Sequence, residues 1–223
     1  MAVTYLKGNE GNMNKNKVII VVGILLIVTI LILIGIATYD FYQGKQIEKD
    51  VDNILKQLDE QIEINTNVRT QDPITNTIDE ENNINETNGT ILINDYAIYG
   101  KIQISSVGIK YHIVEYNDKN LKNNICNLAN MPINGTGNLC IAGHNTSNGT
   151  LFGKLKKVKC GDIVEVTNVY GQKYKYIIYS ITSVEPEDNS LMQTSEQPII
   201  TLLTCTNSAK QRLVVQGQLI GEQ

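Results

Sequence analysis

A chain of 223 residues with 42% apolar content holds about one domain of ~100–200 residues plus appendages, which excludes a large multidomain machine. Its 19 Lys and Arg stand against 23 Asp and Glu, a net charge of −4. The longest basic cluster is Lys154, Lys156, Lys157 and Lys159, so nucleic acid is excluded as a partner.

Residues 18–37 form an uncharged run in which 16 of 20 are Val, Ile or Leu, broken only by Gly23, Thr29, Gly35 and Ala37. That length spans a bilayer core. At about −0.4 kcal/mol per aliphatic residue it favours insertion by roughly 6 kcal/mol. The run is too long for the apolar region of a cleaved signal peptide, and Ile36-Ala37-Thr38 is a poor cleavage site, so residues 18–39 read as an uncleaved anchor. Lys7, Lys15 and Lys17 precede it with a single Glu10. By the positive-inside rule, residues 1–17 are then cytoplasmic and the remainder faces outward as a single-pass protein of the cell membrane. Met13 is an alternative start.

Ile47, Val51, Ile54, Leu58 and Ile62 recur at spacings of 4, 3, 4 and 4, the period of a helix, which predicts an amphipathic stalk over 40–64. In 65–90, 18 of 26 residues are Asn, Thr, Asp or Glu. So few apolar groups do not offset the entropy of ordering, and the segment is expected to be a flexible linker.

From residue 91 to 223 the pattern changes to short β-branched runs separated by turn residues. Strands are expected at 97–104, 109–115, 138–142, 162–168, 173–184, 199–205 and 213–220. One short helix is expected through Leu121, Ile125 and Leu128, and a further turn or two over 151–158. Such a mainly β domain closes into a small barrel or packs as a sandwich.

Three side chains sit where strands leave the core. Cys205 ends the apolar run Ile199-Ile200-Thr201-Leu202-Leu203-Thr204 and is followed by Thr206-Asn207-Ser208. A thiol there is either a nucleophile at a strand end or an inert buried cysteine. His144 follows Asn138-Leu139-Cys140-Ile141-Ala142 and Gly143. Arg212, the one arginine of this domain among its many lysines, points to a fixed hydrogen-bonding task for a planar guanidinium. The other histidine, His112, lies inside an alternating strand.

Thr201-Leu202-Leu203-Thr204-Cys205, Arg212-Leu213-Val214-Val215 and Ala142-Gly143-His144 closely resemble the sortases of Gram-positive cell surfaces. That family's hallmark is Thr-Leu-x-Thr-Cys with a downstream Arg and an upstream Gly-His. The resemblance runs over about 99–220, including Gly100-Lys101-Ile102-Gln103-Ile104 and Val184-Glu185-Pro186-Glu187-Asp188, and departs from many relatives at Tyr111-His112, where they carry a proline. It implies a closed sortase-type β-barrel of seven to eight strands with one or two short helices. It also implies a cysteine transpeptidase: Cys205 attacks the Thr-Gly carbonyl of a Leu-Pro-x-Thr-Gly-like sorting signal, His144 is the acid and base, and Arg212 donates to the oxyanion. The partners so implied are sorting-signal peptides of secreted surface proteins and an amine of a peptidoglycan precursor or a pilin. A hydrolytic thiol peptidase on the same fold and a non-catalytic surface or pilus-assembly module are the alternatives.

Cys126, expected on an apolar helix face, Cys140 and Cys160 read as free buried thiols and not as disulfide partners. No C-x-x-C or H-x-x-x-H spacing supports zinc. No cofactor is expected. Glu185, Glu187 and Asp188 resemble the loop that holds calcium in some sortases, but read as a solvated acidic loop. Asp72-Pro73-Ile74 lacks the aromatic that follows Asp-Pro in the lid of pilus-building sortases.

Overall fold

The computed structural model describes residues 15–70, 84–85, 89–206 and 208–222. Most of the expected cytoplasmic segment and of the linker, Asp72-Pro73-Ile74 included, lies outside them. The chain divides into two compact units, 1–43 and 44–223. The first is helical where described and belongs to α1 (Lys15–Thr70). All its aliphatic side chains from Val18 to Ile36 are exposed, and it is long and apolar enough to cross a membrane.

In the second unit, α1 continues from Gly44 as an amphipathic helix. Val51, Ile54, Leu55 and Leu58 are buried in the main core and Ile47 and Ile62 pack against it, so the 3-and-4 spacing marks the face that docks. At about 1.5–3 kcal/mol per buried aliphatic side chain, this stripe outweighs the exposed Lys101–Asp59 ion pair, a class worth ~0–1 kcal/mol. The helix continues beyond 64: Asn65 is buried and its Nδ2 donates to the Val169 carbonyl at 3.1 Å. The segment expected as a linker from 65 thus opens in the last turns of α1 and closes on the strands that begin at Ile84 and Thr90.

The strands are β1 (Ile84–Asn85), β2 (Thr90–Ile93), β3 (Tyr96–Ile104), β4 (Ile109–Glu115), β5 (Ile125–Asn127), β6 (Asn138–Ala142), β7 (Ile163–Asn168), β8 (Lys173–Val184), β9 (Ile199–Thr206) and β10 (Gln211–Glu222). Eight of them close into a barrel in the order β3-β4-β5-β6-β9-β10-β8-β7, with β7 pairing back onto β3. Closure happens at Gly100, where β3 bulges between Ile98 and Gly100. A Cβ there would lie 2.0 Å from the Thr167 carbonyl oxygen of β7, so no larger residue fits. Asn94 and Asp95, both with positive φ, make the two-residue hairpin turn from β2 to β3, a conformation for which Asn and Asp are suited.

All seven expected strands occur. The helix expected through Leu121, Ile125 and Leu128 does not: α2 (Asp118–Leu121) is one turn, capped by Asn117, whose side chain accepts from the Asn120 amide. Residues 125–127 instead form β5, parallel to β4 (Val114↔Cys126) and antiparallel to β6 (Cys126↔Ala142). Pairing to two neighbours overrides a three-residue helical period, and it moves Cys126 from a helix face into the barrel wall. A 3₁₀ turn, Leu155–Lys157, stands where a turn or two was expected.

Candidate active site

Strand register builds this site. β6 and β9 run parallel with Ala142 opposite Leu203, so continuing two residues past each brings His144 level with Cys205. β9 and β10 run antiparallel with Arg212 directly opposite Cys205. The Arg212 Nη1 donates to Cys205 Sγ at 3.2 Å. Both side chains are half-buried and His144 is exposed. All three line one cleft of about 230 Å³, walled by Tyr116, Leu121, Leu128, Pro186, Asn189 and Met192.

The ends of β6 and β9 are tied to each other. Thr204 Oγ1 donates to the Gly143 carbonyl at 2.7 Å. The Gly143 amide donates to the Leu203 carbonyl at 3.1 Å, and Asn145 Nδ2 to the Cys205 carbonyl at 2.8 Å. Gly143 is needed for packing, since a Cβ would sit 3.1 Å from the Phe152 ring. Thr204 stood in the Thr-Leu-x-Thr-Cys motif, but its bond to the Gly143 carbonyl was not visible in the sequence, and nothing there marked Asn145.

Beneath the cleft lies a small apolar cluster of Cys140, Leu203 and Val214, against which Leu128, Val184, Leu191 and Met192 pack. It lies apart from the main core, and the loop between β8 and β9 supplies its cover. That loop carries only a three-residue 3₁₀ turn, Ser190–Met192. A larger cleft, about 380 Å³, opens beside the start of β6 and shares Leu128 and Met192 with the first. Its one thiol, Cys140, is pushed up by burial to about 11, so it holds no ready nucleophile.

The remaining candidates are placed elsewhere. His112 is buried on β4, where Nε2 faces Asn124 Oδ1 at 3.0 Å and Nδ1 has no hydrogen-bond partner. Burial lowers its pKa and the Asn124 bond pulls it partly back. Cys126 is buried and pushed up to about 12. Cys126, Cys140, Cys160 and Cys205 are all free. Cys160, expected to be buried, is exposed in the turn before β7, where its Sγ meets the Tyr179 carbonyl at 3.5 Å. Glu185, Glu187 and Asp188 are exposed. Hydrogen bonds from Ser190 hold the Asp188 carboxyl below its usual range, and no group of three or more His, Cys, Asp or Glu side chains among the described residues converges as metal ligands would.

An exposed imidazole, a half-buried thiol and a guanidinium touching that thiol are equipped for acyl transfer. The family model described as sortase domain matches residues 102–220. Sortase A of Bacillus anthracis is 27% identical over 213 residues, spanning 94% of this chain and 98% of that protein. Among solved structures, sortase A of Listeria monocytogenes superposes with a TM-score of 0.53 at 26% identity, over 56% of this chain and 89% of that one. The sortase D5 transpeptidase of Clostridium perfringens does so with a TM-score of 0.52 at 29% identity, over 58% and 82%.

Proposed function

Because this chain belongs to the sortase family of cysteine transpeptidases, we propose that Cys205 is its nucleophile, His144 its acid and base, and Arg212 its oxyanion donor. The observation that carries the assignment is the Arg212 Nη1 to Cys205 Sγ contact of 3.2 Å within a cleft that His144 also lines.

The substrate is a Leu-Pro-x-Thr-Gly-like sorting signal. Cys205 thiolate adds to the threonine carbonyl carbon, and the oxygen takes up the negative charge beside the guanidinium. Arg212 presents donors in a rigid fork to that oxygen, an interaction present in the transition state and absent from bound substrate. As the intermediate collapses the C–N bond breaks, and His144 as imidazolium gives its proton to the departing glycine amine. The thioester then waits for an amine of a peptidoglycan precursor or a pilin. Neutral His144 takes a proton from that amine as it attacks, the C–S bond breaks, and a new amide leaves with the thiolate restored. Nucleophile, acid, base and oxyanion donor are all side chains, so the reaction as drawn uses no cofactor.

The apolar wall of Leu128, Leu203 and Met192 suits the aliphatic and proline side chains ahead of the scissile bond. The family is membrane-anchored cell-wall machinery. With the positive charges of Lys7, Lys15 and Lys17 on the cytoplasmic side, α1 from Val18 is the anchor and the barrel faces outward, where sorting signals and cell-wall amines are met.

The test is to incubate the protein with a sorting-signal peptide library and with amine added or withheld. Product that rises with amine, together with a thioacyl adduct on Cys205 found by mass spectrometry, supports the reading. Cleavage indifferent to amine makes the protein a hydrolase, and no adduct on Cys205 removes the nucleophile assignment.

A further inference from the structure

The loop that carries His144 is braced from two sides. On the nucleophile side, Asn145 Nδ2 donates to the Cys205 carbonyl at 2.8 Å. Within the loop, Thr146 Oγ1 donates to the Thr150 carbonyl at 2.5 Å. Asn148 Oδ1 accepts from the Thr150 amide at 3.1 Å and its hydroxyl at 2.8 Å. The loop closes on itself where the Phe152 amide donates to the His144 carbonyl at 3.0 Å. These bonds tie the two ends of the loop to each other.

On the opposite side it meets α1. Gly44 is buried although residues 41–43, 45 and 46 are exposed. A Cβ on Gly44 would lie 2.9 Å from Asn148 Nδ2 and 3.1 Å from its Cγ. Glycine inside a helix costs ~1 kcal/mol relative to alanine, and here its missing Cβ makes the space in which the Asn148 carboxamide sits. Tyr111 of β4 couples the loop to the same helix through space. The Leu151 amide donates to its hydroxyl at 2.8 Å, and Glu48 and Asp52 of α1 lie near enough to act on that hydroxyl electrostatically.

We propose that the start of the barrel-packed part of α1 is a backstop for the catalytic loop, with Gly44 and Asn148 as positioning residues that hold His144 in register with Cys205. The inference rests on the acid and base role given to His144 above. It makes the helix that leaves the apolar segment part of the working enzyme as well as its tether.

A size-swap cycle in the full chain, in lipid nanodiscs, tests it. Gly44→Ala adds a methyl where Asn148 lies, and Asn148→Ser opens a gap there while keeping an oxygen for the Thr150 amide. Misplacement of a catalytic group by ~1 Å costs up to ~10²-fold, so each single variant should lower kcat by about tenfold with KM changed less than about twofold. The double variant, in which the added methyl fills the gap, should recover most of kcat, an interaction expected of neighbours and not of independent sites. Glu60→Ala, exposed on the same helix, is the control that changes neither constant. Undiminished kcat in both single variants, or a double variant showing the product of the two losses, overturns the positioning role. If Gly44→Ala fails to fold, Asn148→Ser must by itself show the kcat loss at unchanged KM, and full kcat there overturns the proposal. Activity retained in His144→Ala refutes the acid and base assignment itself, whereas an inactive His144→Ala beside fully active single variants refutes only the backstop.

Discussion

Two regions of this molecule each carry an imidazole and a thiol, and only one of them is equipped to react. In the wall at β4 and β5, His112 and Cys126 are buried among aliphatic side chains. Desolvation lowers the histidine and raises the cysteine to about 12, so both are held neutral. At the rim, where β6 and β9 end, His144 is exposed and Cys205 touches a guanidinium. The same functional groups differ in chemistry because one pair lies in the middle of the wall and the other at the open ends of β6 and β9, where a thiolate and an imidazolium can be solvated.

The widest way to break this comparison is to move the thiol's role. Cys205→Ala should abolish peptide cleavage to background, while Cys126→Ala and Cys140→Ala keep kcat in whatever fraction remains folded. Activity surviving Cys205→Ala, measured by release of the glycine-terminated fragment, would end the assignment. Thiol alkylation sharpens it. At pH 8 a thiol at about 12 is ionised in only ~10⁻⁴ of molecules and one at about 11 in ~10⁻³. Iodoacetamide mapped by mass spectrometry should therefore label Cys160 and Cys205 long before Cys126 or Cys140 in the native protein, and all four in denaturant.

The guanidinium is the next difference between the regions. Arg212→Lys keeps the charge and loses the fork, so it should forfeit most of what Arg212→Ala forfeits, on the order of 10²–10³ in kcat with less change in KM. Near-full kcat in the lysine variant would show that charge alone suffices, and a change confined to KM would make Arg212 a peptide-binding residue.

The smallest effect concerns the buried imidazole. Because the His112 pKa is lowered in the fold, the unfolded chain binds a proton there that the native state refuses. Its contribution to stability is therefore present above the unfolded value, near 6.5, and is lost as pH falls below it, with a slope of up to ~1.4 kcal/mol per pH unit. His112→Gln should flatten the fall in thermal midpoint between pH 7 and pH 5 while leaving kcat at pH 7 close to that of the parent. An unchanged slope would mean that His112 is protonated without resistance from its surroundings.

Local pattern carried much of this structure. The apolar run of α1, the stripe Val51, Ile54 and Leu58 that docks the helix, and seven of the eight barrel strands follow from which side chains need burial and from where turn residues interrupt them. Cys205 and His144 stood out because each follows an apolar run that gives way to polar residues, and Arg212 because it is the one arginine of the domain and opens its last apolar run. What local pattern could not contain was pairing. Three residues at 125–127 became a strand only because β4 and β6 flank them, and this put Cys126 in the wall. The barrel closes where the bare backbone of Gly100 admits β7. Asn145 and Cys205, 60 positions apart, meet through the parallel register of β6 on β9, and Gly44 meets Asn148 through the docking of a helix. A sequence specifies burial and backbone preference one neighbourhood at a time, whereas register and contact between distant segments are set when the sheet closes and every edge must find its partner.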